Sequence, residues 1–183
     1  KDCMPHQSVL SHEPFQKWGL DFVRPFKLAT TRTWNRYIIV VTDYCTKWVE
    51  VKALCDDTAA STAKFLYERI WYHFGCQGIH FVNKVIYELS HYYAMVHKRS
   101  TPYYPQGNGL AESTNKTLQH ILKKIVNENR IDWDQKLHNT LWAHRTTYKT
   151  MIRSTPFRMA FGLEAVIPIK FQIPSLHVQV DEQ

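Results

Sequence analysis

Three segments near the start of the sequence carry β-strand patterns, and they constrain the fold more than any other feature. Residues 18–23 alternate large apolar side chains with others, residues 36–43 are rich in β-branched side chains, and residues 46–54 alternate again. Such patterns are typical of strands that are buried on one or both faces. The short gap at Tyr44 and Cys45 predicts a hairpin between the last two strands.

Most of the remaining sequence has helical patterns. A helix start signal at 56–58 precedes apolar residues at helical spacing as far as Phe74, and a further helical pattern covers 82–93. The other predicted elements are a short strand over 94–98, a loop rich in Pro and Gly over 101–109, two long helices over 110–128 and 132–148, and a short helix starting at 154–156. This order of strands and helices predicts a mixed α/β domain.

Composition and charge narrow the class of protein. Hydrophobic residues make up 44% of the 183 residues, which is enough for a folded core. The net charge of +7 favours a polyanionic partner, either nucleic acid or an anionic membrane surface. The four cysteines include no C-x-x-C pair, so a disulfide scaffold is excluded. The sequence has no bilayer-spanning apolar run and no signal-peptide pattern, so we expect an intracellular protein, nuclear or cytoplasmic.

The first of the two long helices has a polar stripe opposite its apolar one. This stripe carries Glu112 in the first turn, followed by Lys116, Gln119 and Lys123, with Asn115 at its edge. One interpretation is an ordinary solvated face, on which the helix dipole favours Glu112 near the helix start. The other is a metal-binding carboxylate flanked by phosphate contacts, which suits an enzyme acting on nucleic-acid backbones.

Five motifs follow one another along the chain. They are WGLDFV at 18–23, YIIVVTDYCTKWVE at 37–50, STPYYPQGNGLAESTNKTL at 100–118, WDQKLHNTLWAHRTTYKT at 133–150 and STPFRMAFGLEAVIP at 154–168. In this order they resemble the integrase catalytic core of gypsy-type LTR retrotransposons from plants, within the retroviral integrase superfamily. The resemblance covers about residues 15–175, nearly the whole chain.

The resemblance implies an RNase H-like fold, with a mixed sheet flanked by helices, and a D-D-E triad that binds two Mg²⁺ or Mn²⁺ ions. By match to the motifs, Asp21 is the first carboxylate and Glu112 the third, and both are expected to be catalytic and metal-binding. Carboxylates suit Mg²⁺ because this hard ion prefers oxygen ligands. In the family, the ions assist phosphodiester cleavage at the element's ends and strand transfer into target DNA.

The second carboxylate of the triad has no match in this sequence. In the family, a strand ending in that Asp follows the F-G-C motif, whereas here 74–76 runs directly into QGIHF at 77–81. Cys76 stands at the vacated position, with 35 residues between it and Glu112, as in the family. A thiolate is a poor ligand for Mg²⁺. We therefore expect this strand to be deleted, catalysis to be impaired, and either a shorter sheet or direct pairing of 94–98 with the first strand.

Contacts to DNA are implied by the same motifs, since in the family the loop before the Glu and the first turns of its helix touch DNA. The matching or neighbouring residues expected to bind DNA are Lys98, Arg99, Tyr104, Gln106, Asn115, Lys116 and Lys123. Each basic residue taken alone is equally explained by solubility. The expected partners are element ends, target DNA and further copies of this chain.

The resemblance divides the chain into a linker at 1–14 after a missing zinc-binding module, a catalytic core at 15–150, and a C-terminal helix and extended tail at 151–183. The chain is thus expected to be a fragment of a retrotransposon polyprotein. Three hypotheses follow. The favoured one is an integrase core with impaired strand transfer. The second retains activity through Cys76 or water, with Mn²⁺. The third is a non-enzymatic DNA- or protein-binding remnant.

Overall fold

A five-stranded sheet runs through the part of the chain that the structure, a computed structural model, describes: residues 13–23, 30, 33–75, 78–80, 96–97, 109–126 and 132–166. Its strands are β1 (Lys17–Val23), β2 (Tyr37–Asp43), β3 (Val49–Leu54), β4 (Gly78–His80) and β5 (Val96–His97). They lie in the order β3-β2-β1-β4-β5. Strands β1, β2 and β3 pair antiparallel, while β4 runs parallel to β1 and to β5. The predicted mixed α/β fold is confirmed.

The hairpin between β2 and β3 is longer than the alternation pattern predicted. Thr46 belongs to the turn and not to β3, which begins at Val49. The reason is local, because the Asp43 carboxylate accepts hydrogen bonds from both the backbone N–H and the hydroxyl of Thr46, each at 2.7 Å. These bonds hold the chain in a turn where alternation alone suggested a strand.

Helix α1 forms where its start and stop signals predicted. It comprises Ala59–Leu66, a π-helical segment at Tyr67–Trp71 and a last turn at Tyr72–Phe74. The Thr58 side chain accepts the Ser61 N–H and so caps the first turn. Gly75 ends the helix with a φ of 58°, a left-handed conformation that glycine adopts at little cost.

Three further helices complete the described elements: α2 (Gly109–Ile125), α3 (Leu137–Thr146) and α4 (Pro156–Phe161). Helix α3 begins later than predicted, since 133–136 forms turns. Helix α4 follows its prediction, with Thr155 as the cap and Pro156 in the first turn. Among the described residues, no helix is long and apolar enough to cross a membrane.

Both faces of the sheet are covered, and each has its own apolar cluster. On one face, the sheet packs against α1 through Trp18, Leu20, Ile39, Val41, Phe65, Leu66 and Ile70. On the other face, it packs against α2 and α3 through Val23, Ile38, Val40, Leu118, Leu122, Trp133, Leu137 and Leu141. The result is a three-layer α/β/α arrangement in which β1 lies at the centre of the sheet.

The place beside β1 is occupied by β4, so the expected direct pairing of 94–98 with the first strand is wrong. Gly78 pairs with Lys17 and His80 pairs with Gly19, and β5 then pairs with β4. An empty place beside a central strand would leave backbone N–H and C=O groups unpaired, which is costly. In this chain Gly78–His80 fills that place with a strand of only three residues. The predicted helical pattern at 82–93 lies outside the described residues.

The Leu122→Ala substitution tests the packing of α2 on the sheet. Leu122 is buried in the second cluster, so truncation should lower the free energy of unfolding by about 2–5 kcal/mol in urea denaturation. Lys124→Ala on the same helix is the control, because Lys124 is exposed and its removal should change stability by less than about 0.5 kcal/mol. Equal effects of the two substitutions would contradict the described packing.

Candidate functional site

Asp21 lies in the last part of the central strand, on the sheet face that α2 and α3 cover. It is half-buried and stands opposite Val40 in the register of β1 with β2. Trp18 and Leu20 point to the opposite face, into the cluster with α1. The alternation in WGLDFV predicted this separation of Asp21 from its large apolar neighbours.

A hydrogen bond joins Asp21 to helix α2. Nδ2 of Asn115 donates to Oδ2 of Asp21 at 2.7 Å, while Oδ1 of Asp21 accepts the N–H of Phe22 at 2.8 Å. Glu112 precedes Asn115 by three residues in α2. Side chains at this helical spacing start about 5–6 Å apart on the same surface. The bond therefore brings the first turn of α2, with its carboxylate, to the side of β1 that carries Asp21.

Asn115 is more enclosed than a surface contact to DNA would be. It is 5% exposed, and its Oδ1 has no hydrogen-bond partner among the described residues. An ionised carboxylate only accepts hydrogen bonds, so the amide must present Nδ2 to Asp21 and is left with Oδ1 as an unused acceptor. In the structure Asn115 therefore binds Asp21 through a hydrogen bond. The predicted contact of Asn115 with DNA stays a prediction.

The other predicted site residues divide into two groups. Glu112, Lys116 and Lys123 are exposed on α2. The remaining ones lie outside the described residues and stay predictions: Cys76, Lys98, Arg99, Tyr104 and Gln106. Gly78, two residues after Cys76, pairs with Lys17, at the far end of β1 from Asp21.

Two residues of the site escaped the sequence reasoning, namely Gly19 and Tyr44. A Cβ atom on Gly19 would lie 3.0 Å from a carbon of the Tyr44 ring, so only glycine lets the ring pack this closely. The Nζ atom of Lys17 lies 4.5 Å from the centre of the same ring. Burial raises the pKa of Tyr44. Gly19 shares its strand face with Asp21, and a glycine inside a strand was the available signal for this close packing.

A second aspartate, Asp43, is buried at the end of β2 and serves the hairpin. Its Oδ1 accepts the N–H of Phe15 at 3.1 Å, and its Oδ2 accepts the two hydrogen bonds from Thr46. Burial raises the pKa of Asp43 despite these hydrogen bonds, which lower it. Asp43 is therefore a structural carboxylate, as its place in the hairpin suggested.

The described residues match part of a magnesium site. Asp21 and Glu112 offer carboxylate oxygens and Asn115 offers an unused amide oxygen, all of them ligands that Mg²⁺ accepts. Within the described ranges, no group of three His, Cys, Asp or Glu side chains is placed to hold a metal ion. The donor chemistry fits the ion, with two carboxylates of the three that the resemblance implies.

Comparisons with known proteins found relatives among the polyproteins of transposons. No protein-family model matches the chain. It is 22% identical over 164 residues, 86% of its length, to the Retrovirus-related Pol polyprotein from transposon 412 of Drosophila melanogaster. It is 24% identical over 180 residues, 94% of its length, to the Transposon Tf2-3 polyprotein of Schizosaccharomyces pombe. The chain spans 13% of the length of each of these relatives.

A solved structure supports the fold. A chain in the cryo-EM structure of the simian T-cell lymphotropic virus intasome, in complex with PP2A regulatory subunit B56 gamma, superposes with a TM-score of 0.66 at 19% identity. The match covers 85% of this chain and 58% of that one. The expected RNase H-like fold is confirmed. Together with the polyprotein relatives, the match confirms the resemblance to the integrase core of LTR retrotransposons.

The Asp43→Asn substitution should remove a pH-dependent penalty from the hairpin. Because burial raises the pKa of Asp43 above 3.8, the folded chain keeps a proton that the unfolded chain has released. As pH rises from about 3.8 through the raised pKa, the natural chain loses unfolding free energy that the variant does not lose. Urea denaturation at a series of pH values should show the difference, natural chain minus variant, falling across this window. A constant or rising difference would contradict the role of burial.

Proposed function

We propose that this relative of LTR-retrotransposon integrase cores is an integrase core fragment that binds DNA and performs metal-dependent phosphodiester transfer with impaired efficiency. The observation that carries the proposal is the hydrogen bond from Asn115 to Asp21, which ties the helix of Glu112 to the strand of the first carboxylate. The motif match had paired these two residues although 90 residues separate them. If Asp21 and Glu112 share a catalytic site, strand β1 and helix α2 must lie in contact, as this hydrogen bond requires.

Asp21 and Glu112 would hold Mg²⁺ or Mn²⁺, which when bound stabilises charge on the phosphate and activates the attacking oxygen. The residues of the chain have their own tasks. The amide of Asn115 fixes the orientation of the Asp21 carboxylate. Binding a ligand therefore costs less entropy, because the carboxylate is already ordered. The Tyr44 ring packs on Gly19, two residues before Asp21 on the same strand face.

Impairment follows from charge and ligand number. Two divalent cations held close together require several anionic ligands, and the matched positions supply two carboxylates. A thiolate at Cys76 would be a soft replacement that favours other metals. We therefore propose reduced activity, with Mn²⁺ tolerated better than Mg²⁺ where any activity is retained.

A second candidate function is DNA binding without catalysis. It is favoured by the exposed lysines of α2, Lys116 and Lys123, and by the net charge of +7. In either case the bound polymer would be the DNA of element ends and targets, within the nucleus or cytoplasm. We further propose that residues 15–150 carry this function and that further copies of the chain take part.

A disintegration assay on branched DNA separates the two functions. We expect a weak signal that is stronger with Mn²⁺ than with Mg²⁺, and that disappears in Glu112→Gln, because this change removes one of the two carboxylate ligands. Lys124→Gln, on the exposed surface of the same helix, is the matched control and should keep the signal. A signal that persists in Glu112→Gln would place the activity elsewhere, and complete absence of signal would favour binding without catalysis.

Restoring the missing segment tests the cause of the impairment. Insertion of a segment of the family pattern P-x-E-I-V-S-D after Cys76 should raise both the melting temperature and the disintegration rate, because it returns a full strand and its carboxylate. The matched control is the same insertion ending in Asn, which should raise the melting temperature alone. A gain of stability without activity in both insertions would show that the lost Asp is not the limiting group.

A further inference from the structure

A cavity of about 230 Å³ lies beside α2, apart from the contact between Asp21 and Asn115. It is open to solvent on one side and is lined by the β2–β3 hairpin, one side of α2, the end of α3 and the turn that follows. The lining residues used below are Lys47, Ser113, Thr117, His144, Lys149 and Met151. Ser113 and Thr117 occupy a side of α2 that is turned away from Asn115 by more than 100° at helical spacing.

The cavity is basic. None of the described residues that line it is acidic, and two of them are lysines. Lys47 donates from Nζ to the backbone oxygen of Tyr44 at 2.7 Å, and Lys149 forms no ion pair with any described carboxylate. Burial lowers the pKa of both ammonium groups, so each has lost part of its hydration. A partly dehydrated cation without a carboxylate partner, as Lys149 is, favours an incoming anion.

The Asp43 carboxylate compensates part of the charge of Lys47 and leaves that of Lys149 uncompensated. Asp43 raises the pKa of Lys47, but its oxygens already accept hydrogen bonds from Phe15 and Thr46. Lys149 has no such neighbour, since burial alone shifts its pKa, and it keeps its positive charge toward the cavity.

The remaining lining residues are neutral, and those described next are polar. Ser113 and Thr117 bring hydroxyl groups, of which Thr117 Oγ1 donates to the Ser113 carbonyl at 3.1 Å. His144 is 3% exposed, and burial, then Lys149 and Arg145, lower its pKa to about 3, so the ring is uncharged at neutral pH. Its Nδ1 has no hydrogen-bond partner among the described residues. Two cations with hydroxyl groups beside them suit a tetrahedral oxyanion.

We propose that this cavity binds a phosphate of the DNA backbone. This inference rests on the proposed function in one respect, namely that the polymer carrying the phosphate is DNA. Ser113, which lines the cavity, directly follows Glu112 in α2, so the cavity and that carboxylate belong to the same turn of the helix. One DNA strand carries a phosphate every ~3.4 Å along the axis. A strand positioned at Glu112 can thus place a phosphate a few nucleotides away in the cavity.

The test uses the full chain, in EDTA, so that metal-dependent catalysis does not enter the measurement. The methyl group of Met151, which lines the cavity, is followed by NMR while a short DNA duplex or inorganic phosphate is added, and Met159 on α4 serves as the reference. We expect duplex DNA to shift the Met151 signal. Lys149→Gln should weaken DNA binding by about threefold to tenfold and reduce the salt slope by about 1.

Two further variants keep the outcome interpretable. Lys47→Gln should reproduce the loss, and Lys124→Gln removes the same charge from an exposed position on α2 and should leave the salt slope unchanged. Equal losses in Lys124→Gln and Lys149→Gln, or no Met151 shift with either ligand, would overturn the proposal. A shift with inorganic phosphate alone would mean that the cavity takes a free anion, and the assignment to DNA would be overturned. Failure of disintegration activity with DNA binding intact would affect only the proposed catalysis.

Discussion

The hydrogen bond between Asn115 and Asp21 is the constraint on which the site depends, because it joins two elements that lie far apart in the sequence, with a separation of 94 positions. The strand with Asp21 comes first in the sequence, and the helix with Glu112 and Asn115 comes after the other four strands of the sheet. The apolar contacts of Leu118 and Leu122 hold that helix on the sheet. The hydrogen bond from Asn115 to Asp21 determines which turn of the helix lies beside which residue of the strand. Apolar packing thus stabilises the contact between helix and sheet, and the hydrogen bond fixes their relative position.

The two surfaces proposed to bind DNA both include residues of α2, on different sides of the helix. Lys116 and Lys123 continue the stripe of Glu112, whereas Ser113 and Thr117 face the cavity with Lys149. A helix with one apolar stripe therefore presents two polar surfaces to a polyanion. One contains the carboxylate expected to act on the phosphate, and the other is proposed to bind a phosphate without acting on it.

Much of the described fold was predictable from local patterns. Alternation located β1 and β2, and the signals at Thr58 and Gly75 bounded α1, because these features depend on near neighbours in the chain. The motif match related Asp21 to Glu112 over a long distance in sequence. Three other features depend on tertiary contacts. They are the hydrogen bond of Asn115, the Tyr44 ring over Gly19 and the cavity at Lys149. Periodicity carries no information about such contacts, and so they were missed.

The short strand β4 shows how few residues are needed to occupy a place beside a central strand. Gly78–His80 pairs with Lys17, Trp18 and Gly19 of β1, and this pairing uses backbone N–H and C=O groups. A change of side chain at these positions can therefore leave the pairing intact. Position in the sheet is for this reason a firmer basis than side-chain identity for aligning this stretch with the strands of other proteins.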